Sequence, residues 1–232
     1  RWVDKGIGQI VNALKDPNGD GDTSDGVYED TMIVFISDNG GAGKMRASNK
    51  PLRGGKFYMW EGGHRVPFFM AWDRFLSSAG ENGTDIRGTS VDEPVTSLDV
   101  LPTILDASGL NDPSSNPLLR SSPSDGKSWL PVLDGSVTRL HDYLFWFRER
   151  AGDRYVGVVR RGQWKLIIDR KDGPGFELFD LKTDIGETTN LAQSNPDIVQ
   201  EFKEAFIDYA NEMARRNGEE VPNVRLSRMG SI

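Results

Sequence analysis

The segment from Thr31 to Ser37 constrains the fold most, because it is a short run of apolar and β-branched residues. A run of about four to eight such residues, bounded by polar turn residues, is typical of a buried strand. Apolar side chains recur at helical spacing from Trp2 to Lys15, which predicts an amphipathic helix before this strand. A helix followed by a buried strand predicts an α/β layer with a parallel sheet, in which residues 66–72 would form a neighbouring strand.

Asp38 and Asn39 follow the predicted strand directly. Ligands of open α/β sheets bind at the carboxyl ends of the strands, so both side chains stand where chemistry is expected. A carboxylate and an amide oxygen are hard ligands that suit Ca²⁺ or Mg²⁺. Asp-Asn-Gly is also a common turn sequence whose side chains only bond the backbone, and both interpretations stay open at this point.

The rest of the chain predicts one more helix, a small sheet and a final helix. The second helix covers residues 98–108 and ends at Gly109. A stretch rich in Ser, Pro, Asn and Asp, residues 111–128, is the candidate subdomain boundary. Four β-prone runs then predict an antiparallel sheet, with a hairpin at Arg161-Gly162; they cover residues 143–147, 155–160, 163–169 and 177–181. The final helix opens at Asn195-Pro196, closes near Gly218, and is expected to pack on that sheet.

Composition excludes several classes of function. The 28 basic and 35 acidic residues give a net charge of −7, which works against binding to nucleic acid or to anionic membranes. No apolar run approaches the roughly 20 residues of a membrane-spanning helix, so no membrane insertion is expected. The absence of cysteine excludes a disulfide framework, a thiolate zinc site and a thiol nucleophile. Because the net charge is negative, an anionic substrate would have to bind at locally placed cations.

Two further segments concentrate charge and glycine. Residues 51–56 read Pro-Leu-Arg-Gly-Gly-Lys, a composition that lets backbone and ammonium groups approach an oxyanion closely. Residues 61–67 read Glu-Gly-Gly-His-Arg-Val-Pro and hold ionisable side chains around a glycine pair. Taken alone, either segment is also compatible with a solvated loop.

Together these segments resemble the sulfatase family in order and spacing. The resemblance rests on residues 37–41, 52–56 and 61–67, and it extends to residues 97–105, 126–133, 162–166, 177–181 and 190–192. It implies an α/β fold in which residues 1–125 form the C-terminal portion of an alkaline-phosphatase-like catalytic domain. Residues 126–232 would form a C-terminal subdomain, an antiparallel sheet with a packed C-terminal helix.

The resemblance also implies roles for individual residues. It implies a hydrolase of sulfate monoesters that uses one divalent cation, usually Ca²⁺ and alternatively Mg²⁺. Asp38 and Asn39 match half of the family's metal site, and Lys56 matches its sulfate-contacting, catalytic lysine. His64 and Arg65 are further candidates for substrate binding. The alternative for these two is that they pair with Glu61 and hold the glycine turn, since long charged side chains often serve as local scaffolding.

The family's nucleophile is missing from this chain. That nucleophile is a formylglycine made from the first residue of a Cys- or Ser-x-Pro-x-Arg motif, and residues 121–125 imitate the motif but end in Asp125. The formylglycine and the other metal ligands are therefore expected on an upstream part of a longer protein, which agrees with a chain that starts at Arg1 without a leader. The chain alone is expected to be inactive, and that upstream part is an expected partner. The other expected partner is a sulfated small molecule or carbohydrate, and the resemblance implies a periplasmic or secreted protein.

Three alternatives stay open on the sequence alone. The chain is compatible with a noncatalytic module that binds a carbohydrate or a protein partner, and with a phosphate or phosphonate monoesterase of the same superfamily. Residues 16–22 reproduce the first half of a calcium loop, Asp-x-Asn-x-Asp-Gly-Asp, but Val27 stands where that loop needs glutamate. We therefore favour a solvated turn for residues 16–22.

Overall fold

The computed structural model describes residues 2–43, 47–112, 125–150, 154–169 and 175–218. Its helices are α1 (Trp2–Lys15), α2 (Glu61–His64), α3 (Asp73–Leu76), α4 (Val100–Ala107), α5 (Leu130–Leu133) and α6 (Pro196–Asn217), with short 3₁₀ helices at Tyr28–Asp30, Glu81–Gly83 and Ser97–Asp99. Its strands are β1 (Ile33–Ile36), β2 (Phe68–Ala71), β3 (Leu144–Arg150), β4 (Arg154–Arg161), β5 (Trp164–Asp169) and β6 (Gly175–Asp180). Among the described helices, none has the length and apolar character needed to cross a membrane.

The chain divides into two compact units that do not follow chain order. The first holds residues 1–36 and 67–140, and the second holds residues 37–66 and 141–232. The loop that carries the predicted metal and sulfate residues thus belongs to the same unit as the C-terminal sheet. Most of the predicted boundary stretch lies outside the described residues, and the predicted division between residues 125 and 126 stays a prediction.

In the first unit, β1 and β2 form a two-stranded antiparallel sheet, with Ile33 opposite Ala71 and Ile36 opposite Phe68. Both predicted strands are confirmed, but the predicted parallel arrangement is wrong for this pair. A parallel pair needs a long crossover connection, usually through a helix, and the longest described helix between these strands is the single turn of α2. β1 is also only partly buried, with Ile36 exposed, where a fully buried strand was predicted.

The predicted helix at residues 98–108 is confirmed as a 3₁₀ turn that leads into α4. Its start is fixed by a capping box, in which the Thr96 side chain accepts from the Leu98 amide and Asp99 Oδ2 accepts from the Thr96 amide at 2.7 Å. Asp99 is fully buried, and its Oδ1 accepts from the Lys127 amide at 2.8 Å. Gly109 ends the helix with a positive φ of 68°, as a C-terminal glycine does.

In the second unit, the four predicted strands form an antiparallel sheet in the order β3-β4-β5-β6. The predicted hairpin is confirmed, since Arg161 pairs with Trp164 across a turn at Gly162 and Gln163. The final helix α6 packs on one face of the sheet, as predicted. That contact is a buried cluster of Val159, Leu166, Ile168, Leu178, Ala192, Val199, Phe202 and Phe206.

The opposite face of this sheet carries the loop of residues 37–66. Side chains alternate between the two faces along β5, so Leu166 and Ile168 point to α6 while Lys165 and Ile167 point the other way. The second buried cluster consists of Val156, Val158, Ile167, Phe179 and Leu181, with Met59, Trp60, Trp146 and Ile185 packed against it. This face of the sheet therefore packs against Met59 and Trp60 of the loop that carries the predicted site residues.

Candidate functional site

The three glycine-containing motifs recognised in the sequence meet through backbone hydrogen bonds. The Gly40 amide donates to the Gly63 carbonyl at 2.9 Å, and the Gly62 amide donates to the Arg53 carbonyl at 2.8 Å. The Lys56 amide donates to the Gly41 carbonyl at 3.2 Å. These bonds bring the loop of Asp38 and Asn39, the loop of Lys56 and helix α2 into one layer.

Glycine is required where these motifs touch. A Cβ atom on Gly40 would lie 1.7 Å from the Gly62 carbonyl oxygen, and a Cβ on Gly63 would lie 1.9 Å from the Tyr58 carbonyl oxygen. Both contacts are with backbone, which cannot rotate away as a side chain can. Each glycine therefore allows a close approach of backbones that no other residue permits.

Asn49 ties the loops together and was not identified from the sequence. Its Oδ1 accepts from the Gly41 amide at 2.8 Å, and its Nδ2 donates to the carbonyls of Gly41 at 2.9 Å and Gly54 at 3.0 Å. The Asn49 side chain thus links two irregular segments through hydrogen bonds to their backbones. A single asparagine in a polar loop gives no signal of this in the sequence.

Asp38 and Asn39 lie on the bend that follows β1, where the sequence places them. The side-chain Nδ2 of Asn39 donates to the Gly40 carbonyl at 3.0 Å. The side-chain Oδ1 of Asn39 accepts no hydrogen bond from the described residues. The Asp38 side chain is exposed and has no ion pair within the described part of the chain. These two oxygen donors are of the kind that Ca²⁺ or Mg²⁺ prefers, and they would be part of such a site. The described residues contain no cluster of three or more His, Asp or Glu side chains that could complete such a site.

Lys56 is half-buried, and its ammonium is not matched by a carboxylate among the described residues. Its Nζ lies 5.6 Å from the centre of the Phe57 ring. Its backbone is fixed by the bond to Gly41, which comes two residues after Asn39. Lys56 is therefore a cation without a carboxylate partner in the described part of the chain, and its backbone is held next to the predicted metal loop.

Glu61 forms the centre of a buried charge cluster. Its carboxylate is fully buried and lies 3.0 Å from Lys165 Nζ, 3.5 Å from a nitrogen of Arg160 and 3.5 Å from a nitrogen of Arg65. His64 Nε2 lies 3.3 Å from the same carboxylate. Helix α2 is thus bound to strands β4 and β5 by charge.

Glu187 completes this cluster on the other side of Lys165. Its Oε1 lies 2.7 Å from Lys165 Nζ, in the geometry of an ion pair rather than of a well-aligned hydrogen bond, and its Oε2 accepts from the Glu61 amide at 2.6 Å. Both Lys165 and Glu187 are fully buried. Neither was assigned a role from the sequence, although a lysine inside the apolar run of β5 is a signal that a buried partner must exist.

The charges of the cluster shift the pKa values of its members in different directions. Burial raises the pKa of Glu61, but the hydrogen bond with His64 and the charges of Lys165 and Arg160 outweigh it, so its pKa lies well below the ordinary range. Burial also lowers the pKa of His64, with the hydrogen bond to Glu61 opposing it in part. His64 is therefore neutral at pH 7, with Nε2 as the donor to Glu61.

The two predicted substrate residues of helix α2 differ in access. Arg65 is half-exposed, and its side chain has a single contact with Glu61. The His64 ring stacks on Trp146 at 4.6 Å between centroids, and its Nδ1 is buried without a hydrogen-bond partner in the described structure. Both side chains pair with Glu61, as the scaffolding alternative expects, and their role in substrate binding stays a prediction.

The half calcium loop at residues 16–22 forms a chain of turns. Asp16 accepts from the amides of Gly19 at 2.8 Å and Gly21 at 2.9 Å, and Asn18 accepts from the Asp20 amide at 2.9 Å. Asp20 in turn accepts from the Asp22 amide at 2.8 Å. The side-chain oxygens bond the backbone of their own loop, which is the arrangement expected of a solvated turn.

Comparison with known proteins connects this geometry to one family. Residues 1–110 match the family model described as Sulfatase. A sulfatase of Formosa agariphila is 34% identical over 203 residues, which cover 84% of this chain and 34% of that protein. The steryl-sulfatase of Homo sapiens is 30% identical over 167 residues, which cover 68% of this chain and 24% of that protein.

A solved structure gives the same result for the fold. The crystal structure of Ps i-CgsB in complex with k-i-k-neocarrahexaose matches with a TM-score of 0.71 and 28% sequence identity, over 89% of this chain and 40% of that chain. The present chain therefore spans between about a quarter and two fifths of the length of each of these three proteins.

Proposed function

Because the chain belongs to the sulfatase family and has part of the alkaline-phosphatase-like α/β fold, we propose that the intact protein hydrolyses sulfate monoesters. The observation that carries this proposal is the position of Lys56. Its ammonium has no carboxylate partner among the described residues, and its backbone is bonded to the loop that holds Asp38 and Asn39. A lysine without a carboxylate partner in the described structure, on a loop bonded to the one with two hard oxygen donors, suits a sulfate group bound to a divalent cation.

In this proposal, Asp38 and Asn39 supply half of the ligands of one divalent cation, Ca²⁺ or Mg²⁺. A bound cation would neutralise sulfate oxygens and lower the cost of charge that develops during ester cleavage. The other ligands and the formylglycine nucleophile would come from the part of the protein that precedes this chain. The chain alone would then be inactive, and it would bind that part as its partner.

Lys56 is assigned to the sulfate ester itself. Its ammonium would donate to a sulfate oxygen and to the bridging ester oxygen, which gains negative charge as the alcohol leaves. Arg65 would donate to the substrate through the half of its side chain that is exposed. Because Nε2 donates to Glu61, His64 would act at Nδ1 only as an acceptor, so it would bind a substrate hydroxyl and not the sulfate itself.

The substrate is proposed to be a sulfated carbohydrate or small molecule. The human relative is named a steryl-sulfatase, and Ps i-CgsB was crystallised with a neocarrahexaose. These names describe a small molecule and a carbohydrate, and each applies to that protein alone. A periplasmic or secreted location is proposed on the family resemblance only.

Hydrolysis of an aryl sulfate by the intact protein tests the proposal, with Lys56→Ala as the variant. We expect kcat to fall by roughly 10²–10³-fold, the loss that follows removal of one preorganised donor to developing charge. Lys182→Ala is the matched control, because that lysine is exposed in the same compact unit. Removal of divalent cations with a chelator should abolish activity, and Ca²⁺ should restore it. Full activity of Lys56→Ala would refute the assignment.

The same assay separates the competing functions. A higher rate on the matched aryl phosphate than on the aryl sulfate would favour a phosphate monoesterase. Binding of a carbohydrate without hydrolysis, and without any effect of the chelator, would favour a noncatalytic module.

A further inference from the structure

Phe57, the residue after Lys56, has an unusual backbone conformation and an exposed ring. Its φ is +78°, in the left-handed region that a bulky side chain rarely adopts, and 67% of its surface is exposed. A large aromatic ring held towards solvent by a strained backbone is the kind of outlier that occurs at binding sites. A glycine at this position would avoid the strain, so the presence of a phenylalanine ring requires an explanation.

Two cations flank this ring. Lys56 Nζ lies 5.6 Å from the ring centre, and the guanidinium carbon of Arg148 on β3 lies 5.6 Å from the same centre. The two charges are therefore separated by no more than twice this distance, a span that a disaccharide with two anionic groups can cover. Arg148 also donates from Nη1 to the Phe57 carbonyl oxygen, which fixes the arginine and the strained residue to each other.

Arg148 differs in its partners from the other arginines of this unit whose side chains are described. Arg53 pairs with Glu177 at 3.6 Å, Arg160 pairs with Glu61 at 3.5 Å, and Arg161 pairs with Glu201. Arg148 has no ion pair with any described side chain, and its other N–H groups are not used by described residues. In a chain of net charge −7, two cations beside one exposed ring, neither with a carboxylate partner among the described side chains, form a local site for negative charge.

We propose that Phe57 and Arg148 form a specificity subsite for the alcohol part of the substrate. The Phe57 ring packs against a sugar ring, and the Arg148 guanidinium binds a second anionic group, a sulfate or a carboxylate, on the same substrate. The planar guanidinium presents paired N–H groups that match such an oxyanion. This inference rests on the proposed function, because it takes the first sulfate to be the one bound at Lys56. It narrows the substrate class to saccharides that carry at least two anionic groups.

The test compares disulfated and monosulfated lactose as substrates of the intact protein. The wild type should show a higher kcat/KM for the disulfated sugar, and Arg148→Gln should reduce that preference by roughly 10-fold or more, as loss of a charge-assisted hydrogen bond does. Arg148→Lys should keep part of the preference, because the charge stays and the fork is lost. Arg161→Gln, a paired arginine on the neighbouring strand, should leave the preference unchanged.

Phe57→Gly tests the ring separately, since glycine accepts the positive φ. It should raise KM for both sugars and leave their ratio unchanged. Equal KM values in this variant and the wild type would overturn the role of the ring. An unchanged preference in Arg148→Gln, or no preference in the wild type, would overturn the role of the arginine.

Hydrolysis of a simple aryl sulfate separates failure of the subsite from failure of the proposed function. If the aryl sulfate is cleaved and the two lactose sulfates are treated alike, the subsite is wrong and the function stands. If no sulfate ester is cleaved, the function is wrong. Calorimetric titration with the two sugars then decides the subsite, and equal or undetectable binding overturns it.

Discussion

Glu61→Gln should destabilise the protein by about 3 kcal/mol, because the carboxylate lies at the centre of a buried charge cluster. Loss of one partner from a buried ion pair costs about 3–5 kcal/mol, since the remaining charge stays buried without compensation. The lower end of that range applies, because Lys165 keeps Glu187 at 2.7 Å. The glutamine oxygen can still accept from Lys165, but its amide N–H groups then face Arg160, donor against donor.

Urea unfolding of the intact protein, followed by tryptophan fluorescence, measures this loss. Trp146 is a suitable reporter, because its ring stacks on His64 next to the cluster. Glu204→Gln is the control, an exposed glutamate on α6 that should change the free energy of unfolding by less than about 0.5 kcal/mol. A loss below about 1 kcal/mol for Glu61→Gln would show that the cluster does not hold the fold together.

The losses of stability caused by Glu61→Gln and by Glu187→Gln should depend on pH in opposite directions. The pKa of Glu61 lies below its ordinary value of 4.5, so its ionised form stabilises the protein above about pH 4.5, and this contribution declines as the pH falls further. Burial raises the pKa of Glu187, and the charge of Glu61 adds to it, against the lowering effect of Lys165. Its contribution is therefore largest below about pH 4.5 and declines as the pH rises through its raised pKa. As the pH falls below about 4.5, the difference in the free energy of unfolding between wild type and Glu61→Gln should become smaller. The corresponding difference for Glu187→Gln should become larger.

Two further changes test the packing around the site. Gly40→Ala would place a Cβ 1.7 Å from the Gly62 carbonyl oxygen, so we expect loss of sulfatase activity in the aryl sulfate assay; Gly43→Ala, with nothing within 4 Å, should keep activity. Phe206→Ala should cost about 3–5 kcal/mol in urea unfolding, because this fully buried ring fills the space above Gly157 between α6 and the sheet. A loss below about 1 kcal/mol would show that α6 is not anchored there.

The sequence predicted the elements that have a strong local pattern. Helix α1 was predicted with the bounds observed, and so was the closure of α6 at Gly218, whose φ is +67°. The β3 to β6 meander followed from four β-prone runs and a hairpin turn. The direction of β1 relative to β2 was predicted wrongly, because strand direction depends on the connection between strands and not on the residues within them.

The charge cluster could not be predicted, because its partners are far apart along the chain. Glu61 and Lys165 are separated by 104 residues, and Glu61 and Glu187 by 126. A buried lysine in β5 indicates that a carboxylate must lie nearby, but it does not indicate which of the 35 acidic residues that is. The close glycine contacts could not be predicted either, because a glycine in the sequence does not show which backbone approaches it.

The way the loop is held explains why the C-terminal sheet belongs to the same compact unit as the candidate site. In its described part, the loop of residues 37–66 carries a single turn of helix, so its own hydrogen bonds do little to fix Lys56. It is fixed by close backbone contacts between glycines, by the packing of Met59 and Trp60 on the sheet, and by Glu61, which is bound to Lys165 on β5. Burial of these charges costs free energy that the apolar clusters of the sheet must offset. The position of Lys56 therefore depends on the stability of a sheet to which Lys56 itself does not belong.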